Sequence, residues 1–331
     1  MSSFGIDLGT GNIRIYNSHD DSFFMEKNMI AIEGKDNLFA YGDSAFEMYE
    51  KAPSNIVISS PLNSGVIADI GHMQTLIKFF MTDILGGNIK PADYYIAVPT
   101  DVTDVERRAF YDLIKESNVK ARKIMIAEKA VCCGLGLDID VKTSQGVLVV
   151  DVGYETTEIS ILSLGGIVVS RLLKVGGNKF DESIKSAVRR EYNLIIGSKS
   201  AEKIKYSLKE LDKQNKDAVV FGRDIVTGLP VQKAVSTKLV KECLLEHFNT
   251  IVDNIKQILE RTPPELGADI FRNGIYLTGG ASQVFYLDEL INKETGLKVN
   301  TNEEPMASVV KGLSTIIKDE KFASLATSIE Q

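Results

Sequence analysis

Two segments half a chain apart carry the same set of chemically useful residues. Asp7-Leu8-Gly9-Thr10-Gly11-Asn12 follows an apolar run at 4–6, and Asp151-Val152-Gly153-Tyr154-Glu155-Thr156-Thr157 follows another at 147–150. Short apolar runs of this kind read as buried strands. Each segment leads into alternating residues, Ile13-Arg14-Ile15-Tyr16 and Glu158-Ile159-Ser160-Ile161, which read as the return strand of a hairpin. A tight turn containing glycine offers bare backbone N–H groups to an anion, because no Cβ blocks the approach. Asp7 and Asp151 cannot touch phosphate directly, since like charges repel. They can hold, through water, a divalent cation that the phosphates also grip. Two such hairpins facing each other would clamp a nucleoside triphosphate and Mg²⁺ between two domains.

The elements that must position these turns alternate strand and helix, which favours α/β architecture. Tyr94-Tyr95-Ile96-Ala97-Val98 reads as a strand ending at Pro99. Thr103-Asp104-Val105-Glu106 is a capping box that opens a helix running to about Ser117. Val105, Ala109, Leu113 and Ile114, with Phe110 alongside, have helical spacing and are expected to face a core, with Arg107 and Arg108 off that stripe. A strand is expected at 124–126 and a helix at 130–137. Asn273-Gly274-Ile275-Tyr276-Leu277-Thr278-Gly279-Gly280-Ala281 is another strand running into a glycine turn, and Pro263-Pro264 stops the preceding helix.

Composition bounds the rest. A chain of 331 residues holds two domains comfortably. A net charge of −7 argues against a nucleic-acid binder that works by neutralising phosphates. Cys132, Cys133 and Cys243 are an odd set, two of them adjacent in an apolar stretch, as expected of buried thiols in a reducing cytosol. His247 follows Cys243 by four positions, too little for a zinc site. The N-terminus lacks a signal pattern and no apolar run approaches the roughly 20 residues that cross a bilayer. The expectation is a soluble cytoplasmic protein, with peripheral contact at the inner face of the membrane open.

The residues resemble the bacterial actins of the MreB type, within the larger fold shared by actin, sugar kinases and Hsp-type chaperones. The resemblance runs from Phe4 to about Leu313. It is carried by Asn55-Ile56-Val57, Gly65-Val66-Ile67-Ala68-Asp69, Val105-Glu106-Arg107-Arg108 and Ser163-Leu164-Gly165-Gly166-Ile167. Tyr192-Asn193-Leu194-Ile195-Ile196-Gly197, Gly222-Arg223-Asp224 and Leu259-Glu260-Arg261-Thr262-Pro263-Pro264 complete it. Several of these have no part in a general phosphate clamp and favour this family over its kinase cousins. The resemblance implies duplicated, ribonuclease H-like α/β domains around a nucleotide cleft: 1–143 with a subdomain near 30–70, 144–310 with one near 178–240, and a segment 311–331 returning to the first domain.

It also implies roles. Gly9, Thr10, Gly11 and Asn12 resemble the first phosphate hairpin; Gly153, Tyr154, Glu155 and Thr156 stand where the second lies, with Gly177 beside it. Gly279, Gly280 and Ala281 resemble the turn against which adenine and ribose lie. Glu202 and Lys205, three apart on a helix, resemble the pair bordering ribose and base. The ligands implied are ATP or ADP with Mg²⁺ held by Asp7 and Asp151 through water. The partners implied are further copies in head-to-tail filaments, paired antiparallel in many relatives, other bacterial actins or shape proteins, and a membrane surface. An N-terminal amphipathic extension is not expected, since strand residues start by Phe4, and the loop candidate for the membrane is 86–91, equally a plain surface turn.

Two departures bear on activity. Where the family pattern has Asp-x-Gly-Gly-Gly-Thr-Thr, this chain has Tyr154 and Glu155. Two unit charges about 5 Å apart cost roughly 3 kcal/mol at an effective dielectric constant near 20, so Glu155 is expected to turn outward to solvent. The water-orienting Glu of the family precedes a Pro; here the local sequence is Ile126-Ala127-Glu128-Lys129-Ala130. A gapless count puts Ala127 at that position, and one deletion puts Glu128 there with Lys129 in place of Pro. Glu128 keeps the strand register and is favoured, with Lys129 near enough to pair with it and hold it away; Thr156 is the second partner of the water. Three functions stay open: a filament-forming weak ATPase, a nucleotide-binding scaffold without hydrolysis, and a small-molecule kinase of the same fold.

Overall fold

The computed structural model describes residues 2–35 and 37–329. In the first part of the chain β1 (Ser3–Leu8), β2 (Asn12–Asn17) and β3 (Ser22–Lys27) form a meander. It leads to β4 (Ile30–Glu33), β5 (Asn37–Tyr41), helix α1 (Gly42–Met48) and β6 (Ile56–Ser59). A tight hairpin, β7 (Leu62–Asn63) and β8 (Val66–Ile67), precedes α2 (Ile70–Ile84), β9 (Ala92–Val98), α3 (Asp104–Glu116), β10 (Ala121–Glu128) and α4 (Lys129–Gly136). The second part repeats the meander with β11 (Val147–Val152), β12 (Thr157–Ser163) and β13 (Gly166–Leu173). Then come α5 (Gly177–Tyr192), β14 (Leu194–Ile195), α6 (Ser198–Lys213), β15 (Ala218–Asp224), β16 (Pro230–Val235) and α7 (Thr237–Glu260). The chain closes with α8 (Pro264–Asn273), β17 (Ile275–Thr278), α9 (Leu287–Thr295), β18 (Val299–Thr301), α10 (Ser308–Lys318) and β19 (Ala326–Thr327).

Two sheets of one plan result. The first runs β19-β10-β9-β1-β2-β3 and the second β13-β12-β11-β17-β18. In each, an antiparallel meander continues into parallel strands: β1 beside β9 and β10, β11 beside β17 and β18. Strands buried on both faces need continuous apolar sequence, and β11 (VLVVDV) is buried at every position. Two smaller three-stranded sheets run β5-β4-β6 and β14-β15-β16. The C-terminal segment returns to the first sheet, where β19 pairs antiparallel with β10 through Ala326 and Ala127.

One apolar cluster underlies each sheet, and a third lies between them, built from α4, α10 and facing residues such as Met125, Val149 and Leu162. Cys132 and Cys133 are buried free thiols in that layer. Here the helices α4 and α10 approach so closely that a Cβ at Gly136 would overlap the Ser308 carbonyl, and one at Gly312 the Cys132 carbonyl. Helix α3 starts on the expected capping box, Thr103 with Glu106. Its core face is Phe110, Tyr111, Leu113 and Ile114, and Val105 is 80% exposed, contrary to the apolar stripe read from sequence. Val105 sits in the first turn, just after the cap.

Candidate functional site

A cavity of about 710 Å³ lies between the two sheets, within the 300–1,000 Å³ typical of small-molecule sites. Its floor is the two glycine turns, 9–12 after β1 and 153–156 after β11. Asp7, Gly9, Thr10, Gly11, Asn12, Asp151, Gly153, Tyr154, Thr156, Gly177, Glu202, Gly279, Gly280 and Ala281 all line it. The first turn is tied down through its carbonyls: Asn28 Nδ2 donates to Gly9 O at 3.0 Å and the Asn28 N–H to Gly11 O at 3.2 Å. In the second, Gly153 N–H donates to Thr156 O, and the first N–H groups of α5, Gly177 and Asn178, donate to the carbonyls of Gly153 and Tyr154. Gly279 has φ +90°, and a Cβ there would overlap Asp151 and the Val152 carbonyl, so the end of β17 can cross the end of β11 only with glycine.

Three expected residues do not reach the cavity. Glu155 does not turn to solvent: its Oε2 accepts the Ser64 N–H at 2.6 Å, from the positive-φ turn between β7 and β8 on the opposite side. Lys205 is 1% exposed and bonded to Asp181 at 2.8 Å and to Gly177 O at 3.1 Å, behind the wall. Tyr206 lines the cavity in its place, with Glu202 one helical turn before it. The i,i+4 spacing of 202 and 206 was a signal for this, since side chains four apart share a face more closely than those three apart in a straight helix. Glu128, the N-cap of α4, is held by Arg107 of α3 in a close ion pair instead of by Lys129. Ala127, the alternative, is 1% exposed in the core layer. The residue of this segment that enters the cleft is Lys129. Asp181 and Met306 are further lining residues that sequence reasoning missed.

Two ion pairs lie at the base of the cleft, and both Glu158 oxygens there are buried without a hydrogen-bond partner among the described residues. Asp7 faces Arg14 across β1 and β2, with Nη1 3.3 Å from Oδ2. Asp151 faces Glu158 across β11 and β12, two like charges directly opposite, an unfavourable arrangement on its own. Lys129 resolves it, placing its Nζ 2.5 Å from Asp151 Oδ2. Burial pulls the Lys129 ammonium down, but Asp151, Glu158 and Asp7 outweigh it and hold the group charged. Burial lifts the Asp7 carboxyl above its ordinary value against the charges of Arg14 and Lys129. Burial also lifts Glu158 to about 7, opposed by Lys129.

This donor set fits a nucleotide and does not fit the hydrated divalent ion expected from sequence. The turns and hydroxyls can receive phosphates, whereas both carboxylates already hold cations. A doubly charged ion about 5 Å from the Lys129 ammonium would meet a repulsion on the order of 6 kcal/mol at an effective dielectric constant near 20, set against the pull of carboxylates that Lys129 and Arg14 already partly neutralise. Among the described residues, no cluster of three or more His, Cys, Asp or Glu is placed to hold a metal.

The cleft is bridged at several points. Glu50, at the end of α1, accepts the Ser198 N–H at 2.8 Å and hydroxyl at 2.7 Å, at the N-terminus of α6. Burial acts to raise its carboxyl, but Ser198 and Lys185 outweigh it and hold it below the usual range. Lys199 Nζ donates to Glu47 O at 3.2 Å. At the floor Tyr154 packs over Gly11, so closely that a Cβ there would lie 3.0 Å from Tyr154 Cβ.

Two sheets of equal plan around a cleft with paired glycine turns define an actin-like protein. The double helical filament structure of MamK shares that fold, with TM-score 0.80, 21% identity, 96% of this chain and 99% of that one. The MreB/Mbl protein family matches residues 1–324, and the chain belongs to it. It is 35% identical over 317 residues to the cell shape-determining protein Mbl of Bacillus subtilis (strain 168), covering 95% of each. The crystal structure of MreB5 of Spiroplasma citri bound to ADP superposes with TM-score 0.89 at 33% identity, covering 97% of each chain. The AMPPNP-bound form of MreB5 gives TM-score 0.89 at 34% identity, over 98% of this chain and 97% of that one.

Proposed function

We propose that this chain is a cytoskeletal protein that binds ATP or ADP in the cleft, polymerises head to tail, and hydrolyses ATP slowly in the service of cell shape or motility. The single observation that carries the reading is the pair of glycine turns, 9–12 and 153–156, facing one cavity from two sheets of equal plan. Nucleotide in that cavity touches both halves at once, so it can fix their relative position and align the two ends of the subunit. Ends aligned in this way give a heterologous contact that propagates as a filament. The nucleotide-bound forms of MreB5 support the ligand class.

Slow hydrolysis follows from the placement of the carboxylates. A loose phosphoryl-transfer state depends on positioning of the attacking water more than on a strong base. Glu128 is tied to Arg107 outside the cavity, and the cavity holds Thr156 and Lys129 instead. The same observation favours a second reading, a nucleotide-dependent scaffold that does not hydrolyse at all. Sedimentation with ATP, ADP and no nucleotide, run alongside phosphate release, separates the two. The expected result is nucleotide-dependent pelleting with slow release. Release is expected to change less than about twofold in Glu128→Ala and to fall roughly a hundredfold in Thr156→Ala. A chain that stays monomeric in ATP at high concentration overturns the filament reading; a large loss in Glu128→Ala overturns the positioning argument.

The bridges over the cleft make a separate prediction. Glu50→Ala removes the acceptor of two Ser198 bonds and is expected to speed release of a fluorescent nucleotide about tenfold, as for a loss of about 1.4 kcal/mol. An unchanged release rate would mean that this contact does not hold the cleft shut.

Contact with a membrane belongs to the same proposal, although no helix among the described residues is long and apolar enough to cross one. The loop at 86–91 lies between α2 and β9, and its one apolar residue, Ile89, is half-buried. Co-sedimentation with anionic vesicles tests that contact.

A further inference from the structure

Lys129 stands apart from the rest of the cleft chemistry. It begins α4 on one side of the cleft and reaches Asp151 on the other, 2.5 Å away, with its side chain 16% exposed. It lines the same cavity as Gly9, Gly11, Gly153 and Thr156, where phosphates would lie. An ammonium carries three N–H donors, so the Asp151 contact leaves others to point into the cavity. A lysine is a compact point charge suited to phosphate oxygens that offer no fixed fork geometry. The carboxylates around it, Asp7, Asp151 and Glu158, keep it protonated and fix its place, and Arg14, which also lines the cavity, is paired with Asp7.

We propose that Lys129 brings to the nucleotide phosphates the positive charge that a divalent cation would otherwise supply, so that this cleft takes its nucleotide without a metal. The inference rests on the nucleotide reading above and deepens it. It accounts for two features together: two aspartates in a metal-holding pattern, both already paired, and a lysine bonded to one of them where the alignment that keeps Glu128 in register has the family's proline. Lys129 is a binding residue in this account and takes no part in bond making.

The test is nucleotide affinity, measured by equilibrium titration of ADP and ATP in Mg²⁺ and in EDTA. Wild type is expected to bind with affinities that agree within about threefold in the two conditions. Lys129→Met is expected to lose about tenfold or more in EDTA, and Lys129→Arg to keep most of the wild-type affinity there. Thermal melts of the three proteins identify a variant that has lost its fold, and the wild-type comparison stands without either variant. A wild-type affinity that falls tenfold or more on removing Mg²⁺ overturns the proposal, as does a folded Lys129→Met that binds in EDTA like wild type. Absence of binding in both conditions instead overturns the nucleotide reading itself, and the two failures are thus distinct.

Discussion

Gly312→Ala is expected to destabilise the protein by about 3 kcal/mol, the upper part of the range for forcing extra atoms into a packed core. The added methyl has nowhere to go. It would meet the Cys132 carbonyl, and the facing position, Gly136, already lies against the Ser308 carbonyl. Both obstacles are backbone, so neither can be relieved by a rotamer change. Helices α4 and α10 would have to part, and they fill the layer that joins the two sheets through Ala130, Val131, Val309 and Leu313. Chemical denaturation of the variant checks the figure. A loss under about 1 kcal/mol would show that the layer yields more easily than close packing implies.

The second large effect concerns the ion pair at the cleft wall, Asp181 on the cavity side and Lys205 buried behind it. Asp181→Ala leaves the Lys205 ammonium, 1% exposed, without its partner, and the cost expected for an unpaired buried charge is about 3–5 kcal/mol. Lys205→Met is the informative counterpart, because a carboxyl can discharge itself by taking a proton. Burial already lifts Asp181 to about 6 against the pull of Lys205, from an ordinary value of 3.8. Removing Lys205 lifts it further. The folded state then holds a proton that the unfolded state has lost, so stability is greatest in acid and falls as pH rises through the folded value. Lys205→Met is therefore expected to lose distinctly more stability at pH 8 than at pH 5. Equal losses at the two values would mean that Asp181 stays ionised by another route.

What could be read from sequence and what could not divide along physical lines. The paired turns, the capping box at Thr103 and the hairpin around each turn are local: each depends on residues within a few positions, and each is where its spacing puts it. Side-chain partners across the cleft are not local. Lys129 has Glu128 as its neighbour in the chain, but a strand register places two like charges, Asp151 and Glu158, opposite each other, and the lysine goes to them. Glu128 is left for Arg107, which lies off the apolar stripe of α3 and meets the end of β10 only once the fold is formed. Glu155 was expected in water, and finds instead the free N–H of a tight turn that the other side of the cleft brings within reach. Lys205 and Tyr206 are adjacent in sequence, and only the rotation of α6 decides which faces the cavity. Lys129 and Glu155, two of the departures from the family pattern, make long-range contacts of this kind.

The central claim is that nucleotide lies between the two glycine turns and couples the two halves of the molecule. The structure of the chain determined in the presence of ADP tests it most directly. Density for the phosphates is expected between residues 9–12 and 153–156, close to Lys129, with the base end toward Glu202, Tyr206 and Gly280. Saturating ADP that binds at another surface, or that leaves this cleft empty, would contradict it.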